Sequence, residues 1–169
     1  MWTSGRIESK ATFTPAPGGA LQVEASIRLG DSPQANKQGI WPAFWMLGDA
    51  VHHGTPWPQC GELDIFEAVD GVPTGYGTAH CGVLPGGVCQ EPSGRPGTVG
   101  IPADGGFHTW SIKVDRTPAD WTAETITWSL DGSPYHTLTG GDLGDMGVWA
   151  TLAHSPLFII LNLAVGGDW

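Results

Sequence analysis

Basic residues are scarce. The 169-residue chain holds seven Lys and Arg against seventeen Asp and Glu, a net charge of −10, and no basic run occurs anywhere. A partner rich in phosphate needs clustered cations to neutralise it, so nucleic acid and anionic membrane surfaces are excluded as natural ligands. Charge of either sign is thin, at 14% of residues. No apolar run approaches the roughly 20 residues that cross a bilayer, which excludes a membrane-spanning helix. The opening Met1-Trp2-Thr3-Ser4-Gly5-Arg6 has neither a basic start nor an apolar core, so no signal peptide is read there. Cysteine is sparse too, with Cys60, Cys81 and Cys89 only, and no CxxC or HxxxH spacing accompanies them. Cys81 and Cys89 flank a turn-rich stretch that a local disulfide could close. Zinc held with His80, and plain free thiols, are the other readings.

What is abundant is backbone punctuation and tryptophan. There are 26 Gly and 14 Pro, almost a quarter of the chain, and nine Trp. So many helix breakers argue against a bundle, the lack of a three-residue glycine period excludes collagen, and the aromatic content excludes a disordered chain. Period-2 alternation runs through Leu21–Leu29, with apolar residues at odd positions, and through His108–Val114 and Thr125–Leu130. Asp131-Gly132 after the last of these predicts a tight hairpin into Tyr135–Leu138. Thr74–His80 reads as a further strand. Ile40–Leu47 and Leu157–Val165 are apolar at both parities and are expected to be covered on both faces. Only Gly141–Leu152 suggests a short helix. Many short strands separated by Gly- and Pro-rich turns, with no repeat and no linker, predict a single all-β domain over 1–169, a sandwich or jelly roll.

Chemistry concentrates in one place. In Glu62-Leu63-Asp64-Ile65-Phe66-Glu67 three acids fall within six residues of an otherwise apolar strand. Glu62 and Asp64 share a face of a regular strand, and Glu67 has the wrong parity to join them. An extra residue near Ile65-Phe66, a β-bulge, would return it to their side. The two glutamates would then have carboxyls about 5 Å apart, the spacing of a retaining glycosidase rather than an inverting one. On that reading Glu62 is the nucleophile, Glu67 the acid/base and Asp64 the group that orients Glu62 and tunes the pair. Three adjoining carboxyls cannot all ionise cheaply, so at least one holds a proton to higher pH. A calcium site and a solvated acidic face are the competing readings. Trp41, Trp45 and Trp57 lie near in sequence and could stack sugar rings, against the common alternative of core packing. Trp110 and Trp128, on alternating strands, are expected in the core. His80 is either a paired surface histidine or a cleft residue.

These residues resemble the E-x-D-x-x-E signature of glycoside hydrolase family 16, in its laminarinase-like, bulged form. Ser4-Gly5-Arg6-Ile7, Gly39–Leu47, Phe107–Trp110 and Leu161–Gly167 resemble further landmarks of that family in the family's order. The resemblance implies a β-jelly roll of two packed antiparallel sheets, of the concanavalin A-like lectin/glucanase type. It implies retaining endo-hydrolysis of β-1,3- or mixed β-1,3/1,4-glucans, with Glu62, Asp64 and Glu67 catalytic. Trp45, Trp57 and His80 match sugar-contacting positions, and Trp169 is a further candidate cleft aromatic. The cysteines resemble those of a fungal-type branch. A polysaccharide substrate, no cofactor or metal, a monomer and an extracellular or cell-wall location follow from the same resemblance. Family domains begin before the Ser-Gly-Arg landmark and continue past Val-Gly-Gly, so the expectation is a catalytic domain incomplete at both ends, with exposed sheet edges. A glucan-binding module without catalysis and a transglycosylase of the same fold are the alternative functions.

Overall fold

The computed structural model describes residues 3–167. Trp169, a candidate of the sequence analysis, lies outside the described residues. Ten strands account for almost half of the described residues: β1 (Gly5–Phe13), β2 (Ala20–Ile27), β3 (Ile40–Gly48), β4 (Glu62–Glu67), β5 (Thr74–His80), β6 (Arg95–Gly100), β7 (His108–Asp115), β8 (Thr125–Leu130), β9 (Ser133–Thr139) and β10 (Leu157–Val165). They form two antiparallel sheets, one of six strands in the order β1-β10-β3-β4-β5-β6 and one of four in the order β2-β7-β8-β9. The fold is the jelly-roll sandwich expected from the strand pattern. Among the described residues no helix is long and apolar enough to cross a membrane.

Alternation sets which side chains enter the layer between the sheets. From the smaller sheet come Trp110, Ile112, Val114, Ile126 and Trp128, all buried. From the larger come Leu63, Ile65 and Phe66, with Phe66 packed 4.3 Å, ring centroid to ring centroid, from Trp110. The hairpin between β8 and β9 turns at Asp131 and Gly132, both at positive φ (49° and 77°), the conformation that a two-residue turn of this hand demands. The single short helix expected at 141–152 is instead two: α1 (Gly140–Leu143) and α2 (Met146–Ala153). Thr139 and Asp142 close a capping box on α1, Gly144 ends it at φ 65°, and Asp145 caps α2 through the Val148 amide. A stop and a fresh start side by side explain the division.

One expectation needs correction. β10 is covered on both faces only in its first half. Leu161 and Leu163 are 39% and 42% exposed, although they share the parity of Leu157 and Ile159, which pack into the core. Ile7, paired with Leu161, is 68% exposed. Among the described residues the six-stranded sheet is wider than the four-stranded sheet beneath it, so apolar residues near the β1–β10 edge have no described layer to bury against.

The packing that matters most for the acids lies under β4. Trp128 Nε1 donates to the backbone carbonyl of Asp64 at 2.7 Å, and the Tyr135 hydroxyl donates to that of Ile65 at 3.4 Å. The indole fits because Gly77, on β5 beside β4, has no side chain: a Cβ there would sit 2.4 Å from Trp128 Cδ1 and 2.6 Å from the Tyr135 oxygen. Gly77→Ala should therefore displace the indole and destabilise the fold by about 1–3 kcal/mol, the usual cost of overpacking a core. Thermal unfolding would read this as a drop of at least about 2–4 °C. An unchanged Tm would show that Trp128 is not held against β4.

Candidate active site

The bulge is present. Along β3, Asp64 pairs with Trp45 and Phe66 with Phe44, which leaves Ile65 as the extra residue. Along β5 the register slips over the same interval, Asp64 pairing with Thr78 and Glu67 with Tyr76. Ile65 and Phe66 therefore both turn toward the core, at 0% and 1% exposure, and Glu67 returns to the outer face beside Glu62. Both glutamates line one cavity of about 460 Å³ on the outer face of the larger sheet, together with Arg6, Trp41, Trp45 and Asn162.

Two of the candidate tryptophans enter that cavity, and their ring nitrogens are engaged. Trp41 Nε1 donates to Glu67 Oε1 at 2.9 Å, and Trp45 Nε1 to Asn162 Oδ1 at 2.6 Å. The Arg6 guanidinium lies over the Trp45 ring, 5.0 Å from its centroid. Trp57 is not in the cavity wall. It packs with Trp45 against Leu47, Cys60, Phe158 and Ile160, its ring sits 5.6 Å from that of His80, and its side chain hydrogen-bonds Glu62. Trp110 and Trp128 are core residues, at 2% and 0% exposure. Arg6 and Asn162 were not singled out in the sequence. Arg6 belongs to the Ser-Gly-Arg landmark, and Asn162 is the one polar side chain in Leu157–Val165, which is the signal that could have found it.

Asp64 and His80 meet at the other side of Glu62. His80 Nε2 lies 3.4 Å from Asp64 Oδ2 and 4.0 Å from Glu62 Oε1. Its Nδ1 is bonded to Glu91 at 2.8 Å. Ligand atoms of Glu62, Asp64 and His80 all fall within 4.8 Å of one another, so a cation could be embraced there. Cys81 and Cys89 are joined to each other, with Cα atoms 5.4 Å apart, so neither is a thiolate that could hold zinc with His80. Cys60 is a buried thiol, its ionisation pushed up by burial and by the Glu62 charge.

Electrostatics follow from putting three acids in one weakly hydrated strip. Burial first, and then the Glu67 charge, push Glu62 up to about 8, against a hydrogen bond from Trp57 that favours its charge. Burial pushes Glu67 up to about 7, opposed by the Trp41 indole. Asp64, 3% exposed, is held well above the usual carboxylate range by burial and then by the charges of Glu67 and Glu62. The cluster therefore retains protons at neutral pH, as the crowding of three acids requires. In the free protein, however, Glu62 is pushed higher than Glu67, so electrostatics alone does not tell the attacking group from the proton donor. Such a site can hold one carboxyl protonated beside another that ionises, the pairing that acid/base and nucleophilic chemistry at an acetal needs.

Comparison with known proteins agrees with this chemistry. The family model described as Glycosyl hydrolases family 16 matches residues 2–169. The chain is 32% identical to a β-glucanase of Rhodothermus marinus, over 99% of this chain and 54% of that protein. It is also 32% identical to a glucan endo-1,3-β-glucosidase of Cryptopygus antarcticus, over 99% of this chain and 57% of the relative. The chain thus spans about half the length of the curated relatives it matches. The crystal structure of an endo-1,3-β-glucanase from Streptomyces sioyaensis superposes with a TM-score of 0.90 at 40% identity, covering 99% of this chain and 60% of that one.

The raised carboxyls carry a cost to stability with a definite sign. Glu62 titrates near 4.5 in an unfolded chain and near 8 here. Between those values the folded state binds more protons than the unfolded state, so stability falls as pH rises through the window. Glu62→Gln removes the charge and should raise the Tm at pH 8 by at least about 2–4 °C, the shift given by roughly 1 kcal/mol in a domain of this size. The gain should shrink toward zero by pH 4.5. A gain of equal size at both pH values would show that the Glu62 charge is not the cause.

Proposed function

The chain belongs to glycosyl hydrolase family 16, and from that membership we propose that it acts as a retaining endo-hydrolase of β-1,3-glucan or mixed β-1,3/1,4-glucan. The observation that carries the reading is the bulge at Ile65, which gives Glu62 and Glu67 a common face and a common cavity. All three similar proteins quoted above are named for β-glucan hydrolysis, and their names supply the substrate class. Trp41 and Trp45 supply apolar ring faces at the cavity wall for sugar rings.

The reaction runs by two displacements. A Glu62 oxygen attacks the anomeric carbon while Glu67 donates its proton to the glycosidic oxygen, so the leaving chain departs as an alcohol. The sugar is then held as an ester of Glu62. Glu67, now a carboxylate, takes a proton from water, and the water oxygen displaces Glu62 to give a product with the starting anomeric configuration. Asp64 follows Glu62 by two residues on the same strand, and on this reading it orients Glu62. Trp41, whose indole already bonds Glu67, stabilises the charge that Glu67 acquires when its proton leaves. The bond between Cys81 and Cys89 suits an oxidising compartment, and an extracellular or cell-wall setting accords with a polymeric substrate.

Incubation with laminarin and mixed-linkage glucan, with product anomers followed by NMR, tests this reading. We expect new reducing ends to appear first as the β-anomer. Glu62→Gln should abolish their release, and Glu67→Gln should slow it by about 10²–10⁴, the usual contribution of a general acid. Because one glutamate must be ionised and the other protonated, the rate should fall on both sides of the window between about 7 and about 8 where the pair titrates. Products longer than the donor would indicate a transglycosylase, and glucan binding without hydrolysis would indicate a binding module. Either result, or a first product of α configuration, overturns the proposal.

A further inference from the structure

Glu91 is a buried acid that the proposed chemistry does not use. Glu91 follows the loop closed by Cys81 and Cys89, and its backbone exchanges both hydrogen bonds with Gly86, at 2.7 Å and 2.8 Å. It is 3% exposed, and each carboxylate oxygen has a separate partner. Oε1 accepts from the Cys81 amide at 2.8 Å, and Oε2 is bonded to His80 Nδ1 at 2.8 Å. Among the described residues no lysine or arginine pairs with it. His80, with its side chain 13% exposed, turns its second nitrogen to the acids, with Nε2 at 3.4 Å from Asp64 Oδ2 and at 4.0 Å from Glu62 Oε1. That Asp64 oxygen is buried and has no hydrogen-bond partner among the described residues.

Donor and acceptor chemistry decides how the proton sits on this ring. A carboxylate only accepts, and an amide N–H only donates. Oε2 therefore calls for a proton on Nδ1, and a neutral imidazole then presents the bare Nε2 on its other side. We propose that Glu91 is a positioning residue that holds His80 in the Nδ1–H form, so that Nε2 faces Asp64 and Glu62 as a proton acceptor. A proton kept on Asp64 can pass to Nε2 rather than to Glu62, which leaves Glu62 as the carboxylate that attacks. The consequence for turnover rests on the hydrolase reading above, whereas the tautomer does not.

Replacement by glutamine separates the roles sharply. In Glu91→Gln the side chain would have one acceptor oxygen for two donors. The Cys81 amide cannot relocate its hydrogen and the imidazole can, so in this variant the ring should reverse, its proton moving to Nε2 and the carboxamide NH₂ facing a bare Nδ1. Long-range ¹H–¹⁵N NMR of the whole chain reads this directly, with the His80 signals assigned by their loss in His80→Asn. We expect Nδ1 protonated and Nε2 bare in neutral His80 of the wild type, and the reverse in Glu91→Gln. On laminarin, kcat of Glu91→Gln should fall by about ten- to a hundredfold, the loss expected from one charged hydrogen bond, with KM within about twofold. The double variant should be no slower than His80→Asn alone, since Glu91 acts only through that ring.

Retention of Nδ1–H in Glu91→Gln overturns the proposal, as does a reversed tautomer with unchanged kcat or an additive double variant. If Glu91→Gln does not fold, the wild-type spectrum decides: a neutral His80 protonated at Nε2 overturns the assignment, and one protonated at Nδ1 supports it. If the wild type hydrolyses neither glucan, the hydrolase reading fails, and the tautomers of wild type and variant still judge Glu91.

Discussion

A single surplus residue in a six-residue strand decides whether this protein has a paired-carboxylate site at all. Without Ile65 as a bulge, Glu67 would point into the layer between the sheets and Glu62 away from it. A bulge bends its strand and interrupts the ladder, so it persists only when its freed carbonyls find other partners and its displaced side chains find room. Both conditions are met from the opposite sheet. The Trp128 indole and the Tyr135 hydroxyl bond the carbonyls of Asp64 and Ile65, and the absence of a side chain at Gly77 lets the indole approach. The geometry of the outer face is thus set by packing on the inner one.

The second constraint is electrostatic, and it opposes the first. Placing Glu62, Asp64 and Glu67 together behind tryptophan walls removes water that would otherwise stabilise their charges, and every one of them holds its proton to higher pH as a result. The structure answers chiefly with indole N–H groups, the Arg6 charge adding a smaller favourable effect at Glu62. Trp41 bonds Glu67 and Trp57 bonds Glu62, each favouring the charged form against burial. These tryptophans therefore do more than offer flat apolar surfaces. An indole can flank a carboxylate without neutralising it, which a lysine or arginine would do.

Around this strip the sandwich is uneven. Under β4 and β5 it is densely packed, with Trp110 and Trp128 seated beneath Gly75 and Gly77. Toward β1 and the second half of β10 the larger sheet overhangs the smaller, and Ile7, Leu161 and Leu163 face open space. The acids sit on β4, on the densely packed side, where local opening costs most.

Strand alternation in Leu21–Leu29, His108–Val114 and Thr125–Leu130, the Asp131-Gly132 turn and the parity conflict at Glu67 were all legible in the chain, because each depends on neighbours along one strand. The parity conflict named the bulge as the condition on which Glu67 could rejoin the other two acids, and the structure supplies it. Tertiary structure alone decided what lies between distant segments: that Trp128 and Tyr135 reach across to hold the bulge, that Trp57 bonds Glu62 from outside the cavity wall while Asn162 lines it, and that Glu91 stands behind His80. It also left the end of β10 uncovered, because a strand's own pattern says which face is apolar and says nothing of whether another layer arrives to cover it. Local residue order dictates the direction in which a side chain points, and only the assembled sheets determine what it meets there.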